Sequence, residues 1–477
     1  MNARPKSRRI VRGVSATLAA ALLGGGLWWW LQEAPGRAMV AAARPPAPNL
    51  GAWAPELQRR FAAAAGGSVG ALGELSRLYH ANGFLREATR CYEGLEKLEP
   101  AEPRWLHRHA TILAGYGEAE PALARWQRVV ALAPDYLPAR LRRGDLLLKS
   151  NRRDEAAAAY AQVLQRNARE PYALLGLARL AFEEGRWEES RTRLEQVVEL
   201  TNYALGYDLI VTVYEHFGQH EQAVAIRRRA KASGAYRDPA DPWMDELIEV
   251  CFDPYRLSLT AGVMARTGDP AGAMRLLERA IALAPEKVEA RFQLAGVHAA
   301  RGDAPNAMAQ LERCTTLAPD FPDAWAHWSA LLAQTGDRAG AERTLAAGLK
   351  NCPQSPGLHL MRARQLRQTG RAAEAIGAYR TAIRHRANEA EAYVELATLL
   401  IGLDRTAEAL ALVQQALDVE PGEPVALGIM AFSAISAGDE AGARRWLQQV
   451  FNQPRVPREQ LEQLLAAYRG QFGHPFR

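Results

Sequence analysis

The sequence predicts an all-α chain, a solenoid of helix–turn–helix units stacked in one register. Three observations lead there. Gly83, Gly117, Gly185, Gly268, Gly302, Gly336, Gly370 and Gly438 fall in one frame of 34 residues, broken once between Gly185 and Gly268. Asn151 and Asp404 fill the same slot in two units, and both residue types tolerate turns. Five positions after each slot comes a small residue: Ala88, Ala122, Ala156, Ser190, Ala273, Ala307, Ala341, Ala375, Ala409 and Ala443. Near the end of most units a proline recurs, at Pro100, Pro134, Pro285, Pro319, Pro353 and Pro421. Ala, Leu, Arg and Glu dominate the chain, which favours helix, while sparse β-branched residues disfavour a sheet.

The first element is a basic tail followed by an apolar stretch (1–31). Arg4, Lys6, Arg8, Arg9 and Arg12 precede an uncharged run from Gly13 to Leu31, closed by Trp28, Trp29 and Trp30. Its length suits a short membrane-spanning helix, the tryptophans suit the headgroup level, and the cations should stay in the cytoplasm. This predicts a single-pass signal anchor with the body of the chain on the extracytoplasmic side, the periplasm in a diderm bacterium. A cleaved signal peptide would release a secreted form, but its small-residue site, Ala41 to Ala43, comes late. Ser7-Arg8-Arg9-Ile10-Val11-Arg12 only partly follows a twin-arginine signal, since Arg12 stands where an apolar residue usually sits.

The N-terminus also accounts for the net charge. Residues 1–60 hold nine Arg or Lys against Glu33 and Glu56, so of the total +6 the remaining chain carries about −1. A body so balanced lacks the electrostatic footprint of a nucleic-acid binder. Residues 32–52 form a Pro- and Ala-rich linker of a composition that extends rather than packs.

Beyond the linker an N-terminal block (53–237), an acidic connector (238–253) and a C-terminal block (254–457) follow, then a capping helix and tail (458–477). Units begin at Val69, Pro103, Leu137, Pro171, Ala204, Pro254, Val288, Pro322, Pro356, Ala390 and Pro424. The unit at Ala204 fits least well, with Arg227 where an aromatic belongs. Helical residues near Pro55 to Ala65 are expected to cap the start. Leu461, Leu464, Leu465 and Tyr468 share helical spacing, which suits a final cap.

This pattern resembles the tetratricopeptide repeat (TPR), a 34-residue helix–turn–helix unit. The unit from Val69 carries Leu72, Leu75, Tyr79, Gly83, Ala88, Tyr92 and Pro100 at the family's positions, and the unit from Pro322 carries Trp325, Leu332, Gly336, Ala341 and Pro353. The resemblance implies about eleven units in a right-handed superhelix that binds other proteins. It implies an assembly or chaperone-like scaffold, or alternatively a TPR component of a cytochrome or other envelope-protein maturation complex.

The connector reads Asp238-Pro-Ala-Asp-Pro-Trp-Met-Asp-Glu-Leu-Ile-Glu-Val-Cys-Phe-Asp253. Pro242 suits the first turn of a short helix with Asp241 as its cap, and Trp243, Leu247 and Val250 would share one face. Two readings stay open: an inter-block connector whose Trp243 packs into the flanking repeats, and a partner-docking element.

Sequence signatures of catalysis are missing. There is no P-loop, Gly-x-Ser-x-Gly or His-Glu-x-x-His, and Cys91, Cys251, Cys314 and Cys352 are scattered. A non-enzyme is expected, with no cofactor, metal or small-molecule substrate. His107 and His109 are two apart on a helix, so one should face the groove and the other the partner helix. By the resemblance, partners lie against helix A positions 2, 5, 6, 9, 12 and 13. In the first four units these are occupied by Arg77, His80, Arg104, His107, Arg108, Arg142, Asp145, Lys149 and Arg179, among others. Such a groove suits an acidic peptide or a C-terminal carboxylate, although arginines on a solenoid are also ordinary solvated side chains. Positions of the same kind from Pro254 onward include Tyr255, Phe292, Gln293, Asp323 and His327, which are less charged. The family's dicarboxylate clamp is not carried over, because Gly73 and Arg77 replace its first pair. The connector itself is the nearest acidic candidate for the groove.

Overall fold

Helix pairs repeat along the whole described chain. The computed structural model describes residues 68–230, 239–386, 389–453 and 458–476, with residues 38, 41, 42, 59 and 62. The expected anchor at 13–31 lies outside the described residues, as do nearly all of the linker and of the first cap. The chain forms two compact units, Met1–Pro285 and Glu286–Arg477.

In the first unit five helix pairs come in order: α1 Val69–Ala81 and α2 Leu85–Leu98, α3 Pro103–Gly115 and α4 Ala119–Leu132, α5 Leu137–Lys149 and α6 Arg153–Arg166, α7 Pro171–Glu183 and α8 Trp187–Leu200, α9 Ala204–His216 and α10 His220–Ala230. A short helix α11 (Pro242–Asp245) runs into a 3-10 turn at Glu246–Val250, and a last pair follows, α12 Pro254–Arg266 and α13 Pro270–Leu283. The second unit holds α14 Glu289–Ala300, α15 Ala304–Leu317, α16 Pro322–Gln334, α17 Arg338–Asn351, α18 Pro356–Gln368, α19 Ala372–His385, α20 Ala390–Ile401, α21 Thr406–Val419, α22 Pro424–Ser436, α23 Glu440–Phe451 and the final α24 Arg458–Phe472. Among the described residues there is no β-strand, and no helix is long and apolar enough to cross a membrane.

The repeat slot is a backbone device. Gly83 has φ 85°, and the next amide, Phe84 N–H, reaches back to the Tyr79 carbonyl at 2.9 Å. That closes α1 in a left-handed cap where a Cβ is costly. Asn151 and Asp404 hold the same conformation at φ 58°. Where Asp follows the slot glycine, at Asp269, Asp303, Asp337 and Asp439, its carboxylate accepts the N–H three residues on and caps the second helix.

Between the helices the small residue five after the slot is fully buried, as at Ala88, Ala122 and Ala156. Tyr92, Trp126 and Tyr160 fill the space beside it. Tyr160 lies against both Gly144 and Gly176: a Cβ on Gly176 would stand 2.6 Å from its ring. In the second unit one core runs from Ala363 to Tyr468 and includes Tyr379, Tyr393, Leu400, Leu427 and Leu447. In the poorly fitting fifth pair Arg227, in place of a buried aromatic, pairs with Glu215 on the facing helix. Cys91, Cys251 and Cys314 are buried and Cys352 is half-buried.

A groove filled by the chain's own acidic segment

The segment that interrupts the period lies across the first three repeats. It runs from α5 past α3 to α1, opposite to the order of the repeats. At its head the Asp241 carboxylate is 2 % exposed and is gripped by three groups. His107 Nε2 stands 3.0 Å from both carboxylate oxygens, the Tyr136 hydroxyl donates at 2.6 Å, and Arg142 Nε donates at 3.2 Å.

Donor chemistry fixes the His107 tautomer. The Trp126 indole N–H, which can only donate, points at His107 Nδ1 at 3.2 Å. Nδ1 is therefore the acceptor and Nε2 carries the proton given to Asp241. Tyr136 also bridges: its oxygen accepts the Trp243 amide at 3.0 Å while its proton goes to Asp241. Burial, then the bond to Asp241, pushes the Tyr136 phenol far above its ordinary pKa, so it stays a donor. Burial alone would raise the Asp241 carboxyl. The His107 bond, then those from Tyr136 and Arg142, outweigh it and hold the group at about 2.

Two residues on, Arg108 takes over. Its guanidinium, on a side chain only 1 % exposed, donates to the Trp243 carbonyl at 3.0 and 2.9 Å and to Glu246 Oε2 at 2.6 Å. Arg104 stands 3.9 Å from the other Glu246 oxygen. The Trp243 indole lies on Tyr136 and edge-on to His107. Farther along, Asn82 holds backbone: its amide donates to the Val250 carbonyl at 2.9 Å and its oxygen accepts the Phe252 N–H at 2.6 Å. From the other side Arg279 on α13 donates to the Ile248 and Glu249 carbonyls.

Beyond Asp241 the groove continues as a cavity of 320 Å³ between α3, α5 and α7. Arg142, Lys149 and Arg179 line it with Asp145 and Thr111. Burial raises the Asp145 carboxyl above its ordinary range despite the hydroxyls of Tyr160 and Tyr172 that donate to it.

One tetratricopeptide-repeat family model matches residues 147–204 and 265–326, and a second matches 329–391 and 360–424. The matched stretches are tetratricopeptide repeats. Curated relatives include mouse DnaJ homolog subfamily C member 3, 26% identical over 224 residues, and its human counterpart, 25% over 223. Each match takes in 46% of this chain and 37% of the relative, so the chain spans little more than a third of those proteins. Among solved structures, yeast Tom70 matches with a TM-score of 0.39 at 14% identity, over 84% of this chain and 95% of that one. The P58(IPK) TPR domain matches at 0.27 and 20%, over 85% and 99%. Pseudomonas aeruginosa PilF matches at 0.38 and 14%, over 45% and 96%.

Within this array the anticipated groove residues divide. His107, Arg108 and Arg142 converge on the connector, with Arg104 at its edge. Lys149, Arg179 and Asp145 line the open cavity. Arg77 instead pairs with Glu74 on its own helix at 3.0 Å. His80 turns away: it is buried against the Tyr92 hydroxyl at 3.2 Å, and burial, then the Arg108 charge, lowers its pKa to about 3. His109 likewise faces the partner helix and bonds Glu96 at 2.7 Å. Asp241 occupies the cap position of α11 but makes no capping bond, because His107, Tyr136 and Arg142 engage its carboxylate.

The sequence pattern missed Asn82, Trp126 and Tyr136. Asn82 is position 14 of its unit, one past the expected groove positions of the first helix, and Tyr136 is the last residue of its unit. Their signal lies in the partner: an Asp-Pro-Trp segment rich in groups that need a donor, an acceptor and a stacking face.

Proposed function

We propose that this chain is a membrane-anchored TPR scaffold, without catalytic activity of its own, that takes acidic segments of partner proteins in its N-terminal groove on the extracytoplasmic side of a bacterial membrane. One observation carries the groove assignment: an acidic segment already lies in it, with Asp241 received by His107, Tyr136 and Arg142. A groove that receives a carboxylate with three donors, and continues past it into a cavity bearing Arg142, Lys149 and Arg179, suits an acidic peptide. The anchor and topology rest on the basic tail, the Gly13 to Leu31 run and the three tryptophans.

Two measurements test this. A reporter active only in the cytoplasm, fused after Arg477, should be silent; activity there inverts the topology. In pull-downs from membranes, changing Arg142, Lys149 and Arg179 together to Ser should lower partner recovery. Equal recovery by both chains removes the groove as the binding site.

A further inference from the structure

We infer that Asp241–Glu246 is an exchangeable stand-in for a partner peptide, so that the groove reads the pattern Asp-Pro-Trp-x-x-Glu and is occupied in cis until a partner offers it. This rests on the groove assignment above and names its ligand.

The grip on the connector changes character along its length. From Val250 to Phe252 the hydrogen bonds go to the backbone, through Asn82, with the Val250, Cys251 and Phe252 side chains buried, and Arg279 takes the carbonyls of Ile248 and Glu249 while lying over the Phe252 ring. Such bonds are indifferent to side-chain identity. From Asp241 to Glu246 the protein chiefly reads side chains: a carboxylate in a three-donor pocket, an indole on a phenol ring, and a second carboxylate on Arg108. A connector needing only to join two helix pairs is served by the first kind of contact. The second kind is the chemistry of recognition, in which an aromatic anchor and charge pairs with one partner buried, Arg108 or Asp241, set specificity.

The two parts are also separable. The backbone clamp anchors the segment at α1 and α13, so the head can leave without the tail. Because the segment runs from α5 towards α1, residues ahead of a ligand's Asp point towards Arg142, Lys149 and Arg179. A ligand with another acidic residue ahead of the Asp gains contacts there. The cis copy competes at an effective concentration on the order of millimolar, which sets a threshold that weak acidic peptides do not pass.

The probe is a fluorescein-labelled peptide of residues 239–247, titrated by anisotropy against the full chain in detergent. It should bind a chain carrying Asp241→Asn with Trp243→Ala at least about tenfold tighter than the wild type, whose groove is filled. An Asp→Asn change at the peptide's own Asp241, or Arg142→Gln added to the receptor, should weaken that binding at least about tenfold. Equal affinity for both chains, indifference to those changes, or no binding to a variant of full helicity by circular dichroism each overturns the inference. If the variant loses helicity, hydrogen exchange on the wild type decides. Excess peptide should speed exchange at Trp243 to Asp245 and leave Val250 to Phe252 unchanged, and no change at either overturns the stand-in. Failure of the peptide, with membrane partner recovery still dependent on Arg142, Lys149 and Arg179, defeats this inference alone. Peptide binding with recovery unaffected by that triple change defeats the proposed use of the groove alone.

Discussion

Tyr136 and Trp243, 107 residues apart, lie face to face with ring centroids 3.5 Å apart and planes within 8° of parallel. The first is the last residue of a repeat and the second sits in the segment that breaks the repeat. The stack ties them together, and the Tyr136 hydroxyl binds the Trp243 amide and Asp241 from the same ring.

Trp243→Ala should therefore loosen the head of the connector and spare the helices. Aromatic truncations in full cores cost about 3–5 kcal/mol, and this half-buried indole should cost about 2. Hydrogen exchange should show faster amides from Trp243 to Glu246, with α3 and α5 unchanged. Uniform acceleration across α1 to α6 would instead make the indole part of the repeat core.

Asp241 adds a pH signature. Its carboxyl sits at about 2 in the folded chain against 3.8 ordinarily. The depressed value means its stabilisation is fully present above 3.8 and is lost as pH falls through about 2. The stability gap between wild type and Asp241→Asn should be flat from about pH 8 to 5 and narrow by about 2 kcal/mol between about pH 4 and 2. Urea unfolding at several pH values measures it. A gap that persists unchanged below that window would show that the carboxylate's charge is not what the pocket holds.

The repeat boundaries were legible because each depends on local chemistry. Helix A begins at Val69, Pro103, Leu137, Pro171 and Ala204 as the period predicts, and at Glu289 rather than Val288 in one unit, where Val288 caps. Left-handed slots and buried small residues repeat within 34 residues, so a single chain shows them many times. The groove was legible only as a list of cations. Whether Arg108 is solvated or buried depends on Trp243 and Glu246, 135 and 138 residues away, and no period carries that distance. His80 was misplaced because its surroundings are set by Tyr92 on the facing helix, not by its position along helix A.

Gly176 tests how tightly neighbouring repeats close. A Cβ there meets three Tyr160 ring atoms at 2.6 to 2.8 Å, and the Tyr160 hydroxyl is held by Asp145 at 2.6 Å. Gly176→Ala must move the ring or break that bond, at a cost of about 1–3 kcal/mol. Gly377 in α19 has nothing within 4 Å of an added Cβ, so Gly377→Ala should stabilise by about 0.5–1 kcal/mol through helix propensity. Denaturant titration of the two variants should shift in opposite directions; equal shifts would mean the repeat contact at Tyr160 is slack.

Asp404 stands where most units have glycine, at φ 58°, and Arg405 N–H returns to the Leu400 carbonyl at 2.9 Å to close α20. A left-handed backbone costs an ordinary L-residue about 1–2 kcal/mol, less for Asp and Asn. Glycine removes that strain but loses more freedom on folding, which offsets part of the gain. Asp404→Gly should therefore raise stability by about 0.5 kcal/mol. Asp404→Val, β-branched, should lower it by about 2 kcal/mol. Asn151 shares the conformation, and Asn tolerates it well, so Asn151→Gly should gain less. Local exchange of the Arg405 amide, set beside global urea unfolding, checks the series. A loss of stability in Asp404→Gly would mean that the carboxylate, and not the backbone slot, is what the turn uses.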